Sequence, residues 1–229
     1  MRYFYLLFLF SFNVNFSQAD FVDDKYLEDQ IYFGLNYNSL TNTPLNFKQN
    51  KFSNSLNFGF IRDMPLNKRR NFGLGLGLGL SFSSVNSNMV FSQNDELFTV
   101  NLVENNSFLK NKLNTTKIEI PFEIRWRTST PTSYKFWRTY IGIKTSYVLK
   151  SNYKYQNSNY KYSTHNLPLN KFQTGLTVSA GNNTWNLNLY LGLDSIFNND
   201  FVRLNPDYES LRDLNLGLIF YFLLNFTLF

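Results

Sequence analysis

The chain lacks residues and segments that several common classes of protein need. Its 229 residues include no cysteine and a single histidine, His165. Without cysteine there is no disulfide framework and no thiolate metal site, and one histidine forms a metal site only if carboxylates supply the remaining ligands. No run of about 18 apolar residues follows the N-terminal segment, so the sequence predicts no membrane-spanning helix.

Motifs for nucleic acid or a cofactor are also missing. The formal net charge is +6, but the largest basic cluster is Lys68-Arg69-Arg70, which is too small to predict a nucleic-acid partner. Glycines alternate along Gly73-x-Gly75-x-Gly77-x-Gly79 without the Gly-x-Gly-x-x-Gly spacing or a following helix that a phosphate site requires. The sequence therefore predicts no cofactor, and we interpret these glycines as relieving crowding inside a narrow fold.

The first residues have the order of a secretory signal peptide. Met1-Arg2 precedes the apolar run 3–10, and the small-residue exit Ser17-Gln18-Ala19 follows. We predict a signal peptide over 1–19 and one domain over 20–229, since no extended linker divides the rest. The alternative is a buried N-terminal strand.

Alternation of apolar and polar residues is the main signal in the remaining chain. In the segment 72–82 every second residue is Phe or Leu and the residues between are Gly or Ser, so a strand there has one wholly apolar face. A soluble sandwich would cover that face with a second sheet, whereas a transmembrane barrel covers it with lipid. The pattern predicts an all-β fold, an eight-stranded antiparallel up-and-down transmembrane β-barrel, with strands near 30–39, 52–62, 70–84, 115–127, 136–150, 170–181, 184–195 and 212–224.

The connections between these strands alternate in length. Those over 63–69, 129–133 and 182–183 are short, and the other four are long and polar. Bacterial outer-membrane barrels have short periplasmic turns and long outer loops. We therefore predict an outer-membrane location with periplasmic termini and extracellular loops. Indole rings prefer the membrane interface, and a periplasmic aromatic girdle is expected from the three tryptophans at the short-turn end, Trp126, Trp137 and Trp185.

Charged residues occupy the opposite face of the same strands. Opposite charges inside a narrow barrel must pair, so we predict an interior network of Lys117, Glu119, Glu123, Arg125, Arg127, Arg138, Lys144 and Asp194. A catalytic carboxylate pair of Glu119 and Glu123 is the alternative, but four residues on one strand separate them by roughly 13 Å, too far for a glycosidase. His165 lies in a long loop with no pattern of a catalytic triad around it. The sequence thus predicts no enzyme and no catalytic residue.

A short repeat marks the loop between the fifth and sixth predicted strands. Asn-Tyr-Lys-Tyr occurs at 152–155 and again at 159–162, on either side of a Gln156-Asn157-Ser158 turn. This pattern predicts a hairpin beyond the membrane, and tyrosines on it are candidates for contact with glycan, protein or lipopolysaccharide phosphate. The alternative is a merely solvated hairpin. The candidate contact residues are Tyr153, Tyr155, Tyr160 and Tyr162.

The fourth predicted strand resembles a known family. Asn111-Lys112-Leu113, followed by Thr116-Lys117-Ile118-Glu119-Ile120-Pro121-Phe122-Glu123-Ile124-Arg125, is similar to the leucine, spacer, hydrophobic-Glu-Ile-Pro strand of the PorT-like outer-membrane β-barrels of Bacteroidetes. The ending Asn215-Leu216-Gly217-Leu218 and the abundance of Phe, Asn, Lys and Tyr fit the same resemblance. It implies a small, porin-like barrel in the cell envelope and a link to type IX secretion, which the founding member serves.

These observations predict a non-enzymatic accessory or binding component of the cell envelope. Its expected partners are outer-membrane lipid and envelope proteins or surface glycan. Two alternatives remain at this point: a small outer-membrane enzyme that hydrolyses lipid or peptide, and a narrow pore.

Overall fold

The computed structural model describes residues 29–49, 51–94, 97–104, 107–128 and 137–223. The predicted signal peptide, the predicted turn over 129–133 and the last six residues lie outside these ranges. Nearly all regular structure in the described part is β. The elements are β1 (Gln30–Thr41), β2 (Asn54–Pro65), β3 (Phe72–Asn86), β4 (Met89–Asn94), β5 (Leu97–Leu102), β6 (Lys110–Arg127), β7 (Trp137–Gln156), β8 (Lys161–His165), β9 (Phe172–Asn182), β10 (Trp185–Gly192), helix α1 (Asn199–Leu204), a 3-10 turn (Pro206–Tyr208) and β11 (Arg212–Leu223).

Eight of these strands close into an antiparallel barrel. Neighbours are hydrogen-bonded in the order β6, β3, β2, β1, β11, β10, β9 and β7, and β6 pairs with β7 to close the ring. The last pairing is long, from Lys110 opposite Gln156 to Arg127 opposite Arg138. Closure leaves no sheet edge, which is what a bilayer demands of a β-protein. The predicted eight-stranded antiparallel barrel is confirmed.

Side chains alternate between the two faces of the wall as the sequence pattern predicts. In β10, Trp185, Leu187 and Leu189 are exposed on the outside, whereas Asn186 and Asn188 are buried in the lumen. The outer faces of the other barrel strands are similarly apolar, and together they form a belt around the barrel. Within the described ranges, no helix has the length and apolar character needed to cross a bilayer.

Glycines on the inner face of β3 make room for large lumen side chains. A Cβ atom at Gly75 would lie 2.7 Å from Cδ of Arg125, and one at Gly79 would collide with the phenol of Tyr32. The narrow lumen therefore holds these two side chains because β3 contributes none of its own there. This geometry agrees with the interpretation of the glycine run as a packing feature.

A small folded cap stands on the long-loop end of the barrel. The segments Met89–Asn94 and Leu97–Leu102 do not prolong β3 and β6 but form a separate two-stranded hairpin, β4 with β5. This hairpin packs with α1 and with the upper part of β7, and Phe91 lies 5.1 Å from Tyr153 and 5.8 Å from Phe197, ring centre to ring centre. The cap core consists mainly of Met89, Phe91, Val100, Phe108, Tyr153, Leu167, Phe197, Phe201, Tyr208 and Leu211.

A β-bulge separates the lower and upper parts of β7. Lys117 pairs with Val148 and Thr116 pairs with Lys150, so the register skips Leu149. One extra residue shifts a period-two pattern from one face to the other. Odd-numbered residues such as Tyr147 face outward below the bulge, whereas Tyr153 faces inward above it.

Candidate functional site

The lower lumen is organised around one carboxylate, that of Asp63. Its Oδ1 is 3.1 Å from Nη1 of Arg125 and its Oδ2 is 2.7 Å from Nη2 of Arg127. All three side chains are fully shielded from solvent. The Arg127 guanidinium also donates through Nε to the Arg70 carbonyl at 2.7 Å. Because β2 continues to Pro65, it carries Asp63 into the lumen two strands from β6, with Gly75 of β3 between them.

Aromatic rings complete the surroundings of Arg125. Its guanidinium carbon lies 4.0 Å from the ring centre of Tyr140, and Tyr140 packs edge-on against Tyr221 with ring centres 5.3 Å apart. Arg125 also donates to Oε1 of Gln30, and its Nε is 3.6 Å from Glu123. Charge pairing, cation–π contact and hydrogen bonding together offset the cost of burying this cation.

A second charged layer lies higher in the lumen. Glu119 accepts hydrogen bonds from Nδ2 of Asn57 at 3.0 and 3.1 Å and forms an ion pair with Lys144 at 3.2 Å. Above it, Nζ of Lys117 binds Asp213 at 3.0 Å and Oε1 of Gln173 at 2.6 Å. Paired side chains thus occupy the lumen on three levels.

The structure places seven of the predicted network residues in the lumen and the eighth, Asp194, at its upper rim, where its charge acts on the buried Tyr190 together with those of Glu119 and Asp213. Asp194 lies at the upper end of β10, half-buried, where its carboxylate accepts a hydrogen bond from the Thr174 amide at 2.6 Å. Arg138 is buried near the ring of Tyr221, at 5.7 Å. Sequence reasoning missed Asp63 and Asp213. The sequence did contain a signal that acids were missing, because the predicted network had five cations and only three carboxylates. The two further acids balance its charge.

Among the residues that the structure describes, both carboxylates of the predicted pair lie beside cations. Glu119 is held by Lys144 and Asn57, and Glu123 lies beside Arg125. His165 ends β8, is exposed, and is paired in register with Asn152. Across the described ranges, no group of three or more His, Cys, Asp or Glu side chains is placed to hold a metal ion.

The three tryptophans share one end of the barrel. Asn182 of β9 pairs in register with Trp137 of β7 on one side and with Trp185 of β10 on the other. Trp126 of β6 pairs with Thr139, which is two residues after Trp137 in β7. All three indoles are exposed on the outer wall. Trp185 contacts Phe220 edge-on, with ring centres 4.7 Å apart, which extends the row of aromatic side chains.

Two of the four candidate contact tyrosines do not lie on the surface. Tyr153 is 1% exposed and Tyr155 is 6% exposed, whereas Tyr160 is 55% exposed and Tyr162 is half-buried. The expected hairpin exists, since the end of β7 pairs with β8. The prediction for Tyr153 and Tyr155 was wrong because the bulge at Leu149 turns their faces toward the cap core.

The phenol groups of the cap are shielded from water. Burial, with a smaller contribution from the charge of Asp207, raises the pKa of Tyr208 to about 12. Burial likewise raises the pKa of Tyr153. These tyrosines therefore stay neutral and act as packing groups of the cap.

Comparisons with known proteins identify a family for this chain. Among solved structures, the chain is similar to Ail, the attachment invasion locus protein of Yersinia pestis, at 10% sequence identity and a TM-score of 0.35, over 85% of this chain and 97% of that one. A structure of Ail in complex with the heparin analogue sucrose octasulfate gives 10% identity and a TM-score of 0.37, over 86% and 99%. No curated protein matches the sequence. The family model described as outer membrane protein beta-barrel domain matches residues 15–198 of the 229, well over half of the chain, and the protein belongs to that family.

Proposed function

We propose that the protein is a non-enzymatic, non-conducting binding component of the outer membrane, and that its cap contacts the partner. The observation that carries this proposal is the apolar core of the cap, which seats Phe91, Phe197 and Phe201 over the end of the barrel. The connecting segments at this end pack together into one small folded unit. Function on a rigid scaffold usually lies in such connecting segments.

The filling of the lumen argues against a pore. Eight strands enclose a space just wide enough for side chains. Arg125 and Arg127 are 0% exposed, and the Glu119–Lys144 pair occupies the level above them. Ion passage would require these pairs to separate in a low-dielectric interior, at a cost of several kcal/mol for each uncompensated charge.

The cap presents apolar side chains to its surroundings. Leu45 in the β1–β2 connection is 91% exposed, and Leu97 at the start of β5 and Leu204 at the end of α1 are also exposed. These residues replace Tyr153 and Tyr155 as the candidates for contact with a partner. An envelope protein suits them better than a glycan, because a sugar surface is polar.

The orientation that we propose follows the lengths of the connections. The segment 1–19 directs export, the short turns face the periplasm with the tryptophan row at that interface, and the cap faces outward. The resemblance of the Thr116–Arg125 strand to PorT-like barrels makes a component of type IX secretion the first partner to test.

Site-specific cross-linking in native membranes tests the proposal. A photoreactive residue is placed at Leu45, Leu97 or Leu204, with Lys68 on the β2–β3 turn as the control at the opposite end. We expect the same envelope protein to be captured from the cap positions and not from Lys68. Equal capture from both ends would contradict a cap-specific partner.

Two further measurements test the negative parts of the proposal. The purified protein should give no single-channel steps in planar bilayers in which a general porin conducts. It should also hydrolyse neither lipid nor peptide substrates. Regular conductance steps, or a hydrolytic activity that His165→Ala abolishes, would overturn the corresponding claim.

A further inference from the structure

The outer face of the barrel wall changes from apolar to basic just above the β7 bulge. The segments 110–116, 150–156 and 161–165 contain no Asp or Glu. Buried side chains such as Leu113 and Tyr153 point into the cap, so their neighbours in sequence point away from it. The lysine face, as we name this surface, consists of Lys110, Lys112, Lys150, Lys154 and Lys161.

Strand pairing concentrates these cations. Lys112 and Lys154 are directly opposite each other in register, and like charges in that position destabilise a sheet. Burial, followed by the charges of Lys110 and Lys154, lowers the pKa of Lys112. The described residues supply no ion pair to the lysine face. The folded protein therefore keeps an unfavourable charge cluster that an external anion would relieve.

The cluster faces sideways, into the layer next to the lipid. Lys150 directly follows Leu149 of the apolar belt, and Lys154 lies four residues further, about 13 Å along the strand or about 10 Å in height at a tilt of about 40°. A phospholipid headgroup layer is about 5–8 Å thick on each side of the bilayer. Lys112 is level with Lys154, and Lys110 and Lys161 stand one row higher. The upper rows therefore exceed the height of a phospholipid headgroup.

Between the apolar belt and the upper lysines lies a row of amide and imidazole groups. Asn114, Asn152 and His165 are neighbours in register across β6, β7 and β8. Amide and imidazole groups bind sugar hydroxyls rather than acyl chains. From the membrane outward, the order is thus the apolar belt with Lys150 at its edge, then the amide and imidazole row, then the upper lysines.

We propose that the lysine face binds the phosphorylated saccharide headgroup of a glycolipid packed against the barrel. The ammonium groups pair with its phosphates, the Asn114–Asn152–His165 row contacts its sugars, and the apolar belt contacts its acyl chains. This inference rests on the proposed orientation, with the barrel in the outer membrane and its cap outward, but does not depend on a protein partner of the cap, because a different surface carries it.

Reconstituted liposomes allow a direct test. The protein is refolded into phosphatidylcholine liposomes that contain rising mole fractions of a phosphorylated deep-rough lipopolysaccharide, then extracted into neutral detergent, and the retained glycolipid per barrel is measured. The test variant is Lys112→Ser with Lys154→Ser. The matched control, Lys68→Ser with Arg69→Ser, removes the same charge from exposed positions on the β2–β3 turn. A lysine near an anionic surface contributes about fivefold in affinity, so the test variant should need roughly 30-fold more glycolipid for half-saturation and the control variant no more than the native protein.

Folding and lipid specificity are controlled in the same samples. In phosphatidylcholine alone, the test variant should unfold at the same temperature as the native protein or higher, since it loses a like-charge pair. Added salt should weaken retention of the glycolipid by the native protein. Equal half-saturation for the test and control variants would overturn the proposal. Equal retention of phosphatidylglycerol, or of the dephosphorylated glycolipid, would overturn the assignment to a phosphorylated saccharide.

Discussion

Substitution of Asp63 with asparagine tests whether charge pairing in the lumen stabilises the barrel. The change keeps the size of the side chain and removes its charge, while Arg125 and Arg127 remain buried within 3.1 and 2.7 Å of it. An asparagine carbonyl still accepts one hydrogen bond. It compensates neither guanidinium electrostatically.

The expected loss follows from the burial of both arginines. Removing one partner from a buried ion pair typically costs 3–5 kcal/mol. Arg125 keeps Glu123 and the rings of Tyr140 and Tyr221 as neighbours, which places the expected loss near the lower limit, at about 3 kcal/mol in the free energy of unfolding. Arg127→Gln should lower the free energy of unfolding less in the Asp63→Asn variant than in the native protein. The difference, which is the coupling energy of the two positions, should be at least about 1 kcal/mol.

Urea titration of the refolded barrel provides the measurement. Tryptophan fluorescence and the gel mobility of unheated samples report the folded fraction in the same micelles. Asp200→Asn is the matched control, because Asp200 and Arg203 form an exposed ion pair on α1, which is worth at most about 0.5 kcal/mol. If Asp63→Asn unfolds at the same urea concentration as Asp200→Asn, the lumen network does not stabilise the barrel.

Three further predictions concern the wall, the lumen and the cap. Leu189→Arg, at the middle of the belt, should cost about 2–4 kcal/mol of folding free energy in liposomes, whereas Asn152→Arg above the belt should not; equal folding yields would contradict our assignment of the belt. Gly79→Ala should lower the free energy of unfolding by about 1–3 kcal/mol, because the new Cβ collides with the phenol of Tyr32. Gly34→Ala, whose Cβ would have its nearest neighbouring atom 3.6 Å away, should be tolerated, and the urea midpoints of unfolding measure both effects. Tyr208 has a folded-state pKa of about 12, above its unfolded value of about 10, so its contribution to cap stability is complete below pH 10 and is lost between pH 10 and 12. Protease cleavage of the cap should rise in that interval, and Tyr208→Phe should reduce the rise.

The barrel was predictable from the sequence because one physical rule acts along its whole length. Every second residue of a membrane strand meets lipid and must be apolar, and the belt residues of β3 and β10 follow that rule without exception. The cap obeys no such rule. Its hairpin packs on protein, so Phe91 and its neighbours give only a local β signal, and their partners in α1 lie far away in the sequence.

Two errors at the candidate site have identifiable causes. Asp63 was assigned to the connection over 63–69, but proline is tolerated at the end of a strand, and β2 extends to Pro65. Tyr153 and Tyr155 were placed on the surface because the sequence does not reveal the bulge at Leu149. The excess of predicted lumen cations could have located the missing carboxylate, whereas no comparable signal identifies the bulge.

The bulge at Leu149 determines which side of β7 each residue between 150 and 156 faces. Deleting Leu149 would leave every residue between 150 and 156 chemically unchanged but would exchange their two sides, so that tyrosines faced the lipid boundary and Lys154 faced the cap core. A change of length by one residue at Leu149 is thus far more disruptive than a substitution of one exposed residue in the same segment. Variation in length within this protein is therefore expected in steps of two residues along β7, and in any number at the hairpin tip.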